Sequence, residues 1–272
     1  LHDQRTVRTE FASAGDIDIA FQVLGSGHPL LLIIGLGGVK ELWTLDFIDR
    51  LARDFKVIAF DNRGMGQSSR GWMDFSISQF AADAVALLDS LAIESAHVAG
   101  YSMGGYVAQE VAVSWPDRVD RLVLLGTECG GAAGIRQEPG ILLELVGSKA
   151  DDSGDSDTSH SFFLSGEWLE RNPTSIGNLF GSVDGSADAD VLSRQARAVR
   201  EWNGTCSLLP EVDKETLVVT GTDDIVILPE NARVLSELIP GAKLVEVAGG
   251  NHGLILQYPR ELAGIVADFL KA

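Results

Sequence analysis

From about residue 30 onward, short β-rich apolar runs take turns with helix-length amphipathic segments, and that alternation restricts the architecture more than any other property of the chain. The runs are LLLII at 30–34, KVIAF at 56–60, AHVA at 96–99, RLVLL at 121–125, TLVVT at 216–220 and KLVEV at 243–247. Between most of them the apolar residues recur at helical spacing: Phe80, Ala84, Leu87, Leu88 and Leu91 give 76–91 one apolar face. Segments 103–115, 230–239 and 259–271 follow the same rule, and Pro229 suits a first helical turn. Ahead of this region, 5–12 and 17–23 read as strands joined around Ala14-Gly15-Asp16, a turn short enough for a hairpin. Strands that alternate with helices build a parallel sheet covered on its faces. The expected fold is therefore α/β, a mostly parallel twisted sheet of about eight strands flanked by helices.

One interval breaks the alternation. Residues 128–214 separate two strands that otherwise read as sheet neighbours, and loops longer than about 15 residues are uncommon in compact domains. The interval contains helix-like pieces at 141–148, 161–171 and 188–203, so 128–214 is expected to be an inserted, mainly helical cap on a core made of 1–127 and 215–272. The acidic run DDSGDSD at 151–157 lacks the glycine and terminal glutamate of a calcium loop and reads as a solvated loop. Cys129 and Cys206 bracket this interval, next to strands that neighbour each other. They are either two buried thiols or, if the protein matures in an oxidising compartment, a disulfide.

Composition excludes several classes of function. A 45% apolar content is ample for a core, yet the longest apolar run, LLLIIGL at 30–36, falls far short of the roughly 18 residues of a membrane span. With 39 acidic against 21 basic residues the formal charge is −18, which repels phosphate backbones and argues against a nucleic-acid partner. The two cysteines form no metal-spaced cluster, so neither a metal nor a cofactor is expected. A soluble protein follows, with the cytoplasm as the default compartment and the oligomeric state open; the start at Leu1 says nothing about a leader.

The stretch HVAGYSMGG at 97–105 runs from a strand into a helix, with Ser102 at the turn. A sharp strand-to-helix turn strains its central residue and brings the flanking positions together, which Gly100 and Gly104 relieve. The result is an exposed hydroxyl at a helix N-terminus, where the dipole favours developing negative charge. Serine needs a base to act as a nucleophile. Of the five histidines, His252 stands in AGGNHGLILQYP, directly after the run at 243–247 and hence at the carboxyl edge of the same sheet. VVTGTDDIVILPEN places Asp223 and Asp224 just after the run at 216–220, and one of them is expected to orient the imidazole.

Taken with these motifs, the chain resembles the α/β-hydrolase fold family, of the esterase, lactonase and perhydrolase type, over nearly its whole length. The resemblance implies the order Ser102, Asp224, His252 for the catalytic residues, because the family's acid falls three positions after the glycine that ends the strand, Gly221 here. It implies an oxyanion hole from the backbone N–H groups of Leu36 and Met103, and gives DNRGMGQSS at 61–69 a structural role. The family commonly carries His-Gly where this chain has Ile34-Gly35, which removes a side chain that braces the oxyanion loop. Leu36, Trp43, Met103, Ile225, Val226 and Leu254 are candidate apolar walls of the acyl pocket. The implied activity is cleavage of a small carboxylic ester or lactone through an acyl-enzyme on Ser102. Carbon–carbon or perhydrolase chemistry, or a receptor that keeps the triad, are the alternatives.

Overall fold

The computed structural model describes residues 7–131, 134–135, 163–172 and 188–272. Its centre is an eight-stranded sheet. In chain order the strands are β1 (Glu10–Ala14), β2 (Ile17–Leu24), β3 (His28–Ile33), β4 (Phe55–Phe60), β5 (Ala96–Tyr101), β6 (Val119–Leu125), β7 (Glu215–Gly221) and β8 (Lys243–Val247). They lie in the order β1-β2-β4-β3-β5-β6-β7-β8, with β1 and β2 antiparallel and every pairing from β4 to β8 parallel. The first strand sits later than its sequence suggests, at 10–14 rather than 5–12, because the hairpin pairs Ala14 with Ile17 and keeps only Gly15 and Asp16 in the turn.

The helices are α1 (Leu45–Leu51), α2 (Ile77–Ser90), α3 (Met103–Ser114), α4 (Gly166–Arg171), α5 (Ala189–Glu201), α6 (Pro229–Leu238), α7 (Leu254–Gln257) and α8 (Pro259–Lys271). Strand alternation divides the core in two. Leu31 and Ile33 of β3 pack with Phe80 of α2, Val107 of α3 and Leu235 of α6 on one face. Leu30 and Leu32 pack with Phe47 of α1 and Leu262 and Val266 of α8 on the other. Strands buried on both faces read as unbroken apolar runs, which is how they declared themselves in the sequence. Helix α1 did not, because its LDFIDRL is too short for a period to emerge; Thr44 caps it by accepting from the Phe47 N–H.

Of the interval 128–214, α4 and α5 are described, and α5 falls within the piece read as helical at 188–203. The piece at 141–148, the acidic run at 151–157 and His160 lie outside the described residues. Cys129 and Cys206 form a disulfide across the two ends of the interval, with a Cα–Cα distance of 5.0 Å. Bridges of this kind persist in oxidising compartments. No described helix is long and apolar enough to cross a membrane.

Candidate active site

Ser102 occupies the junction between β5 and α3 with φ 55° and ψ −123°. Among the described residues only it and Ala92 combine a side chain with positive φ. Such a conformation costs about 1–3 kcal/mol and persists only where the surroundings over-determine it. Here they do, because the Ser102 N–H donates to Leu125 O at 3.0 Å and its carbonyl accepts from Thr127 Oγ1 and the Gly105 N–H, both at 2.8 Å. The turn also brings Gly100 against the Gly104 carbonyl, and Gly104 against the Ile33 carbonyl of β3, so that a Cβ at either position would overlap backbone. The helix that begins at Met103 directs its N-terminus at the hydroxyl.

His252 lies in the turn between β8 and α7, and its Nε2 stands 3.0 Å from Ser102 Oγ. Its Nδ1 stands 2.8 Å from Asp224 Oδ2. Histidine and aspartate are each 2% exposed. The other oxygen of Asp224, Oδ1, accepts from the N–H groups of Val226 and Ile227 at 2.9 Å each, so the carboxylate is locked on both sides. Asp223 faces solvent instead and accepts from the Thr222 hydroxyl, while its N–H donates to Gly250 O. The acid loop and the histidine loop touch where Gly221 meets Gly250, a contact that leaves no room for a side chain on Gly221.

Residues that the sequence did not single out hold this arrangement in place. The Tyr101 hydroxyl donates to His252 O at 2.7 Å, and burial followed by the nearby Asp224 pushes its pKa well above the usual phenol value, keeping it a donor. Asn251 donates from Nδ2 to Asp223 O and exchanges hydrogen bonds with Gln257, whose Oε1 accepts from the Asn251 N–H. The Gly253 N–H donates to Phe163 O, so the interval 128–214 reaches the histidine turn.

The loop 34–40 carries Leu36 and passes beside Ser102: the nearest atom to a Cβ on Gly35 is that of Ser102, at 3.0 Å. Its two ends are held by 61–69, where Asn62 Nδ2 donates to Ile34 O and Asp61 accepts from the Lys40 N–H and Nζ. Its middle is held from the interval 128–214. Gln195 of α5, fully buried, accepts from the Gly37 N–H at 2.8 Å. A glutamine far along the chain thus contacts the loop that Ile34 leaves without the family's histidine. A single polar residue on the inner face of an amphipathic helix was the available signal, and periodicity alone marks such a residue as an ordinary interruption.

A cavity of about 90 Å³, measured for the centre of a water-sized sphere, opens over the hydroxyl. That is room for several water molecules, since one needs about 10–15 Å³ by this measure. Its described walls include Leu36, Leu42, Met103, Val226, Ile255 and, from the interval 128–214, Phe163 and Val199. Of the six side chains read as pocket walls, Leu36, Met103 and Val226 line it and three fall elsewhere. Trp43 is buried in the core, stacked on Phe47 at 5.2 Å and edge-on to Tyr101 at 6.3 Å. Leu254 is buried in the same core cluster beneath the histidine turn, and Ile225 points to solvent at 43% exposure because the Asp224 side chain folds the chain outward there.

Comparison with known proteins agrees with the fold. The family model described as the alpha/beta hydrolase fold matches residues 28–259. A protein of Caulobacter sp. named "Putative carbamate hydrolase RutD" is 28% identical, with 89% of this chain and 90% of the relative covered. Among solved structures, a hydrolase from Pseudomonas aeruginosa superposes with a TM-score of 0.83 at 26% identity, over 97% of this chain and 99% of the other. The enol-lactonase of Burkholderia xenovorans superposes with a TM-score of 0.86 at 22% identity, over 97% of this chain and all of the other, 100%.

Proposed function

The chain belongs to the α/β-hydrolase fold family, and on that premise we propose that it is a serine hydrolase of small carboxylic esters or lactones. The observation that carries the reading is the continuous hydrogen-bond relay from Ser102 Oγ through both ring nitrogens of His252 to Asp224, at 3.0 and 2.8 Å. In this reading Ser102 Oγ bonds to the substrate carbonyl carbon while its proton passes to His252 Nε2. Asp224 keeps the other ring proton on Nδ1 and stabilises the imidazolium. The backbone N–H groups of Leu36 and Met103 hold the oxyanion, with the N-terminus of α3 adding its dipole. The leaving alcohol takes the proton back from Nε2, and water, deprotonated by the same nitrogen, then releases the acid and frees Ser102.

The apolar walls of the cavity favour an apolar acyl group. Phe163 and Val199 among those walls support reading 128–214 as a cap over it. The relative named for carbamate hydrolysis favours a second reading, a carbamate substrate, which the same hydroxyl, base and oxyanion donors would serve. The experiment is turnover of p-nitrophenyl acetate and butyrate beside a p-nitrophenyl carbamate, with fluorophosphonate labelling of Ser102. Multiple turnovers that Ser102→Ala abolishes support the hydrolase, and the faster substrate decides between ester and carbamate. Labelling of Ser102 without multiple turnover would instead point to a receptor that keeps the triad.

A further inference from the structure

The amino edge of the sheet, away from Ser102, holds a second group of chemistry-bearing side chains. His28 opens β3, His97 is the second residue of β5 and Asp120 the second of β6. Both β3 and β6 are neighbours of β5, so three adjacent strands contribute one residue each. Leu30 pairs with His97, which puts His28 one side-chain step back on the same face. Between β5 and β6 the register slips: Ala96 pairs with Val119 but Val98 with Leu122, so Asp120 and Arg121 together stand opposite the single His97. A bulge of this kind re-aims side chains, and here it leaves a carboxylate beside two imidazoles.

Ligand atoms of His28, His97 and Asp120 all lie within 4.8 Å of one another. The two rings are 4.4 Å apart at their centroids, and His28 Nε2 is 2.7 Å from Asp120 Oδ2. His97 is 7% exposed, and its buried Nδ1 has no hydrogen-bond partner. Buried polar atoms without partners are rare enough that each needs a physical reason. The nearest competing cation, Arg121, is engaged by Glu215 and the Phe269 carbonyl.

We propose that His28, His97 and Asp120 bind a divalent transition metal of the zinc class. Two imidazole nitrogens and one carboxylate are a borderline donor set that suits zinc and disfavours calcium or magnesium, which take oxygen. Tetrahedral zinc with bonds of about 2.0–2.2 Å holds its ligand atoms roughly 3.3 Å apart. His28 and Asp120 both reach solvent, so small side-chain rotations bring them to that spacing around the fixed His97. Along β5 the site is about 16 Å from Ser102, at roughly 3.3 Å per residue, so the metal would tie three strand ends together without entering the reaction.

Titration of the whole, disulfide-bonded chain with Zn²⁺ by calorimetry tests this, together with the visible spectrum after Co²⁺ is bound in its place. The expected result is one tight site and a tetrahedral Co²⁺ spectrum. His28→Ala and Asp120→Asn should each weaken binding about a hundredfold or more, since losing even an outer partner of a ligand costs 10–100-fold. These exposed positions keep the test decisive should the buried His97→Phe fail to fold. Ester turnover of His28→Ala should match that of the unmodified protein. Absence of Zn²⁺ binding at micromolar protein, or binding that survives His28→Ala, overturns the proposal; a zinc that survives it and inhibits turnover sits at His252 instead.

Discussion

Strand β5 has a buried histidine near each end, each with an aspartate nearby, and the two aspartates are put to different use. At the carboxyl end His252 has both ring nitrogens engaged, one by Asp224 and one by Ser102. At the amino end His97 is almost as deeply buried, yet its Nδ1 is unpartnered and the nearby Asp120 is taken by His28. The imidazole is therefore not what makes one end a candidate for proton transfer. Engagement of both nitrogens fixes a tautomer and aims a lone pair at a hydroxyl. The unpartnered ring has neither an orienting acid nor a nucleophile.

Substitution of each histidine tests this contrast most severely. Ser102→Ala and His252→Ala should each lower kcat on p-nitrophenyl butyrate by about a millionfold, because residues acting as one unit fail together, while circular dichroism stays unchanged. His97→Phe should leave turnover within a few fold. A tenth of the activity left in Ser102→Ala would remove the hydroxyl from the reaction, and a loss in His97→Phe rivalling that in His252→Ala would erase the contrast between the two ends.

The next effect separates neighbouring carboxylates at the carboxyl end. Asp224→Asn should cost about ten thousandfold, the loss seen when a serine protease loses its orienting aspartate, and Asp223→Asn no more than about tenfold. The reverse ranking, on one ester at one pH, would transfer the orienting role to Asp223. A smaller effect is expected where α5 meets the loop 34–40. Removal of a direct oxyanion donor costs about 100–1,000-fold, so Gln195→Leu, which acts only through the Gly37 N–H, should lower kcat by about tenfold with KM little changed. Gln195→Glu keeps an acceptor for that N–H and should recover most of the loss. If both variants fall equally, packing of α5 rather than the hydrogen bond is responsible.

The smallest effect concerns the amino end and is read in stability. His97 titrates near 4 in the folded chain because it is buried beside His28, against about 6.5 when unfolded. Between these values the unfolded chain binds the extra proton, so His97 contributes stability that is fully present above pH 6.5 and is lost as pH falls toward 4. Urea midpoints should therefore fall between pH 6.5 and 4 more steeply in the unmodified protein than in His97→Phe. Parallel pH profiles for the two would mean that the ring is protonated in place, with Asp120 turned to it.

Most of the strands and helices were legible because their signals are local. The runs at 56–60 and 243–247 return as strands within one residue, and 259–271 returns unchanged as α8. The strained turn at Ser102 was legible for the same reason, since the need for glycine is written within five residues of it. Less could be read of the cavity. Trp43, Ile225 and Leu254 have the apolarity of pocket walls, but apolarity does not tell a wall from core or from a solvent-facing turn. Tyr101 carried no signal and Gln195 only that of a polar interruption in an apolar helix face, because each acts through one hydrogen bond to a residue far away in the chain.

By itself, then, the sequence determined what depends on neighbours a few residues apart: the alternation that makes a parallel sheet, the helix faces that cover it and the glycines that let Ser102 stand at a sharp turn. Tertiary structure alone decided what depends on distances across the sheet. It brought His252 onto a serine 150 residues away, joined Cys129 to Cys206 and set Gln195 against the Gly37 N–H. The physical reason is that periodicity encodes which face a side chain takes, whereas a hydrogen bond needs two atoms about 3 Å apart, and only packing of the whole domain sets that separation.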